Sequence, residues 1–178
     1  MLLLKPQAYH GNKYGSPFFE GWYHKLTTKS NKSLAIIPGI YKSGLTDYKT
    51  AFLMVFDGSN GNVYFKKYQT TEFDCSKSEY KLHLGPNYFS LNEIRLDISD
   101  GDFELTGQVF AKNIKPWPVT LLEPGCMGWY AYIPTMECFH GILSMNHTLN
   151  GELNLNNSLY DFSNGRGYIE KDWGKNFP

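Results

Sequence analysis

Hydrophobic and polar residues alternate along most of this chain with a period of two, which is the pattern of strands that bury one face. In the stretch Phe103–Lys112, for example, Phe103, Leu105 and Val109 share one face, and polar residues dominate the other. Turn-forming residues separate the alternating stretches, as in the sequence GSNG at 58–61. No long segment repeats with the helical period, so the pattern predicts an all-β fold.

The predicted strands are Phe18–Thr28, Ser33–Tyr41, Thr50–Asp57, Asn62–Gln69, Tyr80–Leu84, Asn87–Leu91, Ile94–Ser99, Phe103–Lys112, Glu137–Gly151, Glu152–Asn157, Ser158–Phe162 and Gly165–Pro178. Several are long and carry an internal glycine, which marks a bend or a bulge in a strand. Long, bent strands favour a closed barrel over a flat sandwich. The proline-rich stretch 116–134 is predicted to cross irregularly between strands. We therefore expect residues 1–178 to form a single antiparallel β-barrel or a strongly bent sandwich.

Composition narrows the class of protein. The chain has 178 residues with 17 lysines and arginines against 17 aspartates and glutamates, a balance that argues against nucleic-acid binding. No apolar run approaches the ~18 residues of a transmembrane segment. Three cysteines, Cys75, Cys126 and Cys138, lack a Cys-x-x-Cys spacing and favour free thiols in a cytoplasmic protein. No phosphate-binding or dinucleotide-binding fingerprint occurs, so no cofactor is expected.

The final stretch, GRGYIEKDWGKNFP, contains the ionisable side chains that most directly suggest a catalytic role. As a strand it places the following residues on one face: Arg166, Tyr168, Glu170 and Asp172. The carboxylates lie about 7 Å apart on that face. If the face is buried, their repulsion raises the pKa of one carboxyl group and creates a proton donor, while Arg166 holds the other ionised. If the face is exposed to solvent, no proton donor is expected.

A second motif, SPFFEGWYHK, places Glu20, Trp22 and His24 on one face of a strand and Tyr23 on the other. One interpretation puts Glu20 among aromatic side chains in a cavity, where burial raises its pKa. The other pairs Glu20 with a surface lysine while Trp22 plugs the end of a barrel. Aromatic residues make up 16% of the chain, a content that is consistent with an all-β core, with an apolar pocket or with both.

Two histidines belong to the stretch MECFHGILSMNHT. His140 is predicted to share a face with Ser144, and His147 falls on the opposite face. Because the two imidazoles diverge, a metal site is not expected. Each histidine is either a proton shuttle or a structural residue with its hydrogen bonds satisfied.

Three stretches together, SPFFEGWYHK, PGCMGWYAYIPTMECFHGILSMNHTLNG and GRGYIEKDWGKNFP, resemble the tocopherol cyclase family and its bacterial relatives. The resemblance covers Ser16–Tyr41 and Gly125–Pro178. It implies a lipocalin-like fold of two barrel-type halves, of which this chain is the N-terminal one. It also implies that a proton is delivered to a prenyl double bond, whose cation is trapped by a phenol oxygen or by water.

The resemblance implies a catalytic pair, Asp172 and Glu170, beside a substrate pocket. The pocket residues expected on this basis are Glu20, Trp22, Tyr23, Tyr168, Trp173 and His140. The implied partner is an apolar, prenylated small molecule. Whether this molecule reaches the protein from a membrane surface is left open. Whether the chain forms a dimer is left open as well. Two alternatives are a lipocalin-like carrier of a hydrophobic ligand, without catalysis, and a purely structural domain.

Overall fold

A computed structural model describes residues 4–133 and 135–176 of the chain. Its strands are β1 (Phe18–Thr27), β2 (Ser33–Lys42), β3 (Lys49–Asp57), β4 (Val63–Tyr68), β5 (Phe73–Cys75), β6 (Lys81–Leu84), β7 (Asn87–Ser90), β8 (Glu93–Asp100), β9 (Phe103–Lys112), β10 (Cys138–Leu155), β11 (Ser158–Asp161) and β12 (Gly165–Gly174). Short 3₁₀ helices occupy Thr70–Glu72 and Gly128–Tyr132. The all-β prediction is confirmed, and the predicted end of the last strand at Pro178 lies outside the described residues.

All strands belong to one antiparallel sheet in the order β4-β3-β2-β1-β12-β10-β9-β8-β7-β6-β5, with β11 beside β10. The sheet curls so that its two ends approach each other, and the ring of Tyr64 in β4 stacks on Phe103 in β9 at 4.4 Å. Within residues 4–133 and 135–176, no pairing joins β4 to β5. The sheet is therefore a strongly bent, open barrel rather than a closed one.

Side chains from the inward faces pack the space inside the curl. Trp22, Leu53, Leu105 and Phe162 come from widely separated parts of the chain and are each at most 1% exposed. They belong to one continuous apolar cluster to which most strands contribute. The inward face of the sheet is therefore a packed core.

The strand β10 is longer than predicted because two predicted strands are continuous. Gly151, at the predicted break, has a φ of +120°, and a Cβ there would lie 2.2 Å from the carbonyl oxygen of Gln108. Glycine lets β9 and β10 approach at this point, and the strand continues through it. The segment between β9 and β10 is largely irregular, as predicted, and Met145 N donates to Lys115 O at 2.8 Å along the free edge of β10.

An ion pair lies inside the core between the neighbouring strands β1 and β12. Lys171 Nζ is 2.6 Å from Glu20 Oε1, and both side chains are fully buried. Lys171 Nζ also donates to Ala8 O at 2.5 Å, and His10 N donates to Glu20 Oε2 at 2.9 Å. The pair therefore anchors the segment that precedes β1 onto the core.

Burial and charge act in opposite directions on this pair. Burial by itself raises the pKa of Glu20, but Lys171 and the hydrogen bonds from His10 outweigh it and lower that pKa. Burial lowers the pKa of Lys171, and the charge of Glu20 opposes that shift. The ammonium also lies 5.1 Å from the ring of Trp22 and 4.9 Å from that of Trp173, which favours its charged form.

Removing one member of this pair should be far more damaging than removing both. Glu20→Gln or Lys171→Met alone leaves a buried charge without its partner, so we expect a loss of about 3–5 kcal/mol in the free energy of unfolding. The double variant should be more stable than either single variant. Urea unfolding measures this, with Glu79→Gln as the control, since Glu79 forms an exposed pair with Lys81. Additive losses in the double variant would contradict a direct pairing.

Candidate functional site

The outward face of the central strands carries a row of residues that are in register across the sheet. His140 in β10 lies opposite Asp172 in β12, and Asp172 lies opposite Gly21 in β1. One step along the strands, Ile142 lies opposite Glu170, and Glu170 lies opposite Tyr23. Because alternate residues of each strand share a face, these side chains gather on the side opposite the core.

His140 bridges the two carboxylates. Its Nδ1 is 2.6 Å from Asp172 Oδ1, and its Nε2 is 3.6 Å from Glu170 Oε2. Tyr168 donates its phenol proton to Glu170 Oε2 at 2.5 Å. The side chains of Glu170 and Asp172 are 24% and 25% exposed, so neither carboxylate is fully buried. The basic group that lies between them is His140, not Arg166.

The carboxylates change the titration of their neighbours. The hydrogen bond to Asp172 raises the pKa of His140 against the effect of burial, and the charge of Glu170 adds to the rise. Burial raises the pKa of Tyr168, and its hydrogen bond to Glu170 raises it further. The pKa of Tyr23 is raised by burial and by Glu170. The carboxylates thus make both His140 and Tyr168 weaker acids.

The segment before β10 holds the backbone of His140. The thiol of Cys126 donates to His140 O at 3.5 Å, and His140 N donates to Met127 Sδ at 3.0 Å. These contacts come from the irregular segment that crosses from β9 to β10. Asp172 thus positions the imidazole, while Cys126 and Met127 of the loop position the backbone of His140.

An apolar hollow of about 710 Å³ lies on the same outward face, across β1–β4. Its main apolar lining residues are Phe19, Tyr41, Phe52, Met54 and Phe65. The sequence reasoning did not single out this hollow. The feature that could have revealed it is the stretch TAFLMVFD, in which both faces of the strand are apolar.

The structure divides the predicted pocket residues between the two faces of the sheet. Tyr23, Tyr168 and His140 lie with Glu170 and Asp172 on the outward face. The remaining members of the predicted pocket point into the core: Glu20, Trp22 and Trp173. The two motif strands, β1 and β12, are neighbours in the sheet, but a pocket shared by all of these side chains is not formed.

Glu20 also departs from both interpretations of its motif. Its pKa is lowered, not raised, because the ammonium of Lys171 and the hydrogen bonds of His10 outweigh the effect of burial. The lysine that pairs with it is fully buried rather than on the surface. Glu20 therefore belongs to the core, where its side chain is fully buried.

Two further histidines face the interior. His24 Nε2 lies 2.6 Å from the hydroxyl of Tyr80, and His147 Nδ1 lies 2.9 Å from Ser144 Oγ. Irregular register between β10 and β12 near Ser144 turns that residue inward, so the prediction that it shares a face with His140 is wrong. Burial lowers the pKa of His24 to about 3 and that of His147 to about 4.

These interior histidines should make the fold sensitive to acid. Their folded-state pKa values lie below the ordinary value, so the unfolded chain binds more protons below about pH 6.5. We expect the free energy of unfolding to fall as the pH drops from 7 towards 4. His147→Asn should reduce this dependence, as measured by urea unfolding at several pH values. An identical pH dependence in the variant would show that the pKa of His147 is the same in the folded and the unfolded chain.

The pairing of His140 with Asp172 can be tested by titration. Asp172→Asn removes the largest cause of the raised pKa, so we expect the pKa of His140 to fall towards its ordinary value. NMR of the imidazole protons measures the change, with His83 as an internal reference on β6. An unchanged midpoint for His140 would show that Asp172 does not hold its proton.

Among residues 4–133 and 135–176, no three His, Cys, Asp or Glu side chains form a group that could hold a metal ion. In those same ranges, no helix is long and apolar enough to cross a membrane. The candidate site is therefore built from the side chains of the outward face.

Comparison with known proteins supports the fold. No family model and no curated protein matches the sequence. The crystal structure of NE1406 from Nitrosomonas europaea, provisionally assigned as AttH, matches with a TM-score of 0.56 and 14% identity over 96% of this chain and 54% of that one. Kievitone hydratase from Nectria haematococca matches with a TM-score of 0.45 and 9% identity over 89% of this chain and 48% of that one.

The chain shares the lipocalin-like fold of NE1406. It spans about half the length of the solved structures that it matches. At 14% identity the likeness concerns the fold alone. The function of the outward face therefore has to be argued from its geometry and from the motifs that form it.

Proposed function

We propose that the outward cluster of His140, Glu170 and Asp172 is an acid site that protonates a prenylated, apolar small molecule and so starts its cyclisation or hydration. The observation that carries the proposal is the bridging of two half-buried carboxylates by His140 beside an apolar hollow. The resemblance of the same strands to the tocopherol cyclase family supports it. Asp172 and Glu170 keep the catalytic roles expected from the sequence.

The proposed step requires a proton on a carboxyl group that faces the substrate. His140 is positioned to relay it, because its Nδ1 lies 2.6 Å from Asp172 Oδ1. Tyr168 donates a hydrogen bond to Glu170 and holds that second carboxylate in place. The two carboxyl groups thus have different neighbours: a titratable imidazole beside Asp172, and a phenol that keeps its proton beside Glu170.

Protons, electrons and atoms balance in both reaction routes, cyclisation and hydration. The carboxyl proton is transferred to one carbon of the prenyl double bond, whose electron pair forms the new C–H bond and leaves a tertiary cation. In cyclisation a phenol oxygen of the substrate attacks the cation and then returns its proton to the carboxylate. In hydration a water molecule takes the place of the phenol. No redox partner is needed for either route.

The rival function is a lipocalin-like carrier that binds a hydrophobic ligand without changing it. A carrier of the usual lipocalin kind holds its ligand inside the barrel. Here the inward face is filled by side chains such as Trp22, Leu26 and Phe162, each fully buried. The outward hollow is a place where a carrier could hold a ligand, but a bridged acid cluster beside it has no role in transport. The enzyme is therefore the better supported of the two.

Variants of the acid pair test the proposal. Asp172→Asn and Glu170→Gln should each keep the fold, and the variant that removes the donor should lose turnover by at least 100-fold while still binding the ligand. Geranylhydroquinone is a suitable probe. Chromatography with mass detection separates a cyclised product of unchanged mass from a hydrated one that has gained a water molecule.

The matched control is Glu104→Gln, which removes an exposed carboxylate on β9. It should leave turnover unchanged. If both site variants convert the probe at the rate of the parent, neither carboxyl group is the proton donor. If the parent binds the probe and never converts it, the carrier function is correct.

A further inference from the structure

Gly21 stands in the middle of the outward row, and the fold does not require a glycine there. A Cβ at Gly21 would have its nearest neighbours at 3.7 Å, the Cγ2 atom of Ile37 and the carbonyl oxygen of Pro38. Those are ordinary van der Waals contacts. Its backbone is also extended, with no positive φ that would favour glycine.

The neighbouring glycine in the same row is different. A Cβ at Gly39 would lie 2.4 Å from the ring of Phe52 and 2.9 Å from the carbonyl oxygen of Glu20. Packing alone therefore explains Gly39. Gly39 lies directly opposite Gly21 in the pairing of β1 with β2, and the ring of Phe52 covers it, so the bare backbone is confined to Gly21.

A glycine inside a strand costs roughly 0.5–1 kcal/mol relative to alanine, because it has more conformational freedom to lose on folding. Where packing does not require it, glycine in a strand often marks the close approach of a ligand or of another backbone. Gly21 is only partly buried, so the space above it is open to the outward side. Its surroundings identify which kind of molecule fits there.

Those surroundings combine acid, aromatic and apolar groups. Asp172 lies opposite Gly21 on β12, and His140 lies one strand further on. Along β1, Tyr23 follows Gly21 on the same face beside Glu170, while Phe19 precedes it and lines the apolar hollow. A molecule lying on Gly21 therefore touches the acid cluster at one end and enters the hollow at the other.

The dimensions indicate an elongated ligand. From β12 to β4 there are four strand spacings, or about 19 Å across the sheet. The far end of this path is apolar, with the stacked rings of Phe52 and Phe65 at 5.8 Å. A hydrocarbon chain matches that end, and a flat unsaturated or aromatic group matches the bare backbone at Gly21.

The geometry points to Gly21 as the floor of a binding site for an amphiphile. Its flat, unsaturated end lies on Gly21 against Asp172, and its hydrocarbon chain occupies the hollow that begins at Phe19. This inference rests on the proposed function and identifies where the reacting end of the substrate lies. Gly21 determines which substrates fit, because any side chain at this position fills the space that the flat group needs.

Gly21→Leu tests the inference with geranylhydroquinone as the probe. The leucine side chain extends outward from a position where Cβ fits, so we expect the melting temperature to stay within a few degrees of the parent. We expect the dissociation constant for the probe to rise at least tenfold. The chemical shift of the Met54 methyl group, in the wall of the hollow, reports binding, and the exposed Met145 serves as the internal reference.

Two further variants make the test decisive. Gly15→Leu is the matched control, because nothing lies within 4 Å of a Cβ at Gly15, which precedes β1 and does not line the hollow. It should bind like the parent. Gly21→Ala, whose added methyl group makes only ordinary contacts, should weaken binding several-fold and keeps the test valid if the leucine variant does not fold.

The outcomes separate this inference from the proposed function. If Gly21→Leu and Gly21→Ala bind and convert the probe like the parent, the inference fails and the acid site stands. If the probe binds over Gly21 and is never converted, the acid chemistry fails and the binding site stands. If ultracentrifugation shows a parent dimer that Gly21→Leu dissociates, with no effect of the probe on Met54, the face contacts a second copy and the inference fails.

Discussion

The pairing of β1 with β12 is the constraint on which the rest of the structure depends. These two strands join the hairpins of β2–β4 to the part of the sheet formed by β5–β10, so their register aligns both halves. Because side chains alternate between faces, that single register sends Glu20 and Lys171 inward and leaves Gly21 and Asp172 outward. The core and the candidate site are therefore two consequences of the same set of backbone hydrogen bonds.

The buried ion pair makes that register hard to change. A slip of one residue moves every side chain of a strand to the opposite face. Such a slip between β1 and β12 would carry Lys171 to the surface and leave Glu20 buried without a cation. An unpaired buried charge costs several kcal/mol, so alternative registers are strongly disfavoured. The pair also binds the segment around His10, which links the region before β1 to the same register.

The outward face differs from the core because its ionisable side chains are partly exposed to solvent. This exposure makes it the candidate catalytic surface. Its carboxylates remain about a quarter exposed, so they can meet a ligand, while His140 holds them together. The apolar hollow lies next to them on the same face, beyond Gly21. Exposed apolar surface is costly in water, and a ligand that fills the hollow would relieve that cost. The packed interior, by contrast, pairs its buried charges, Glu20 and Lys171, with each other.

The sequence alone is enough to locate most of the strands and to sort the residues of each into two faces, because alternation is a local property with a period of two. It placed Glu170 with Asp172, and Lys171 with Trp173, correctly on opposite faces of β12. It did not determine which face is buried, since each face carries both charged and aromatic residues. The tertiary structure decides which face is buried. Inside the core, Lys171 pairs with Glu20 and donates to the carbonyl oxygen of Ala8, and both residues lie more than 150 positions away in the chain. His140 reaches Asp172 for the same reason, through a strand pairing that local pattern does not encode.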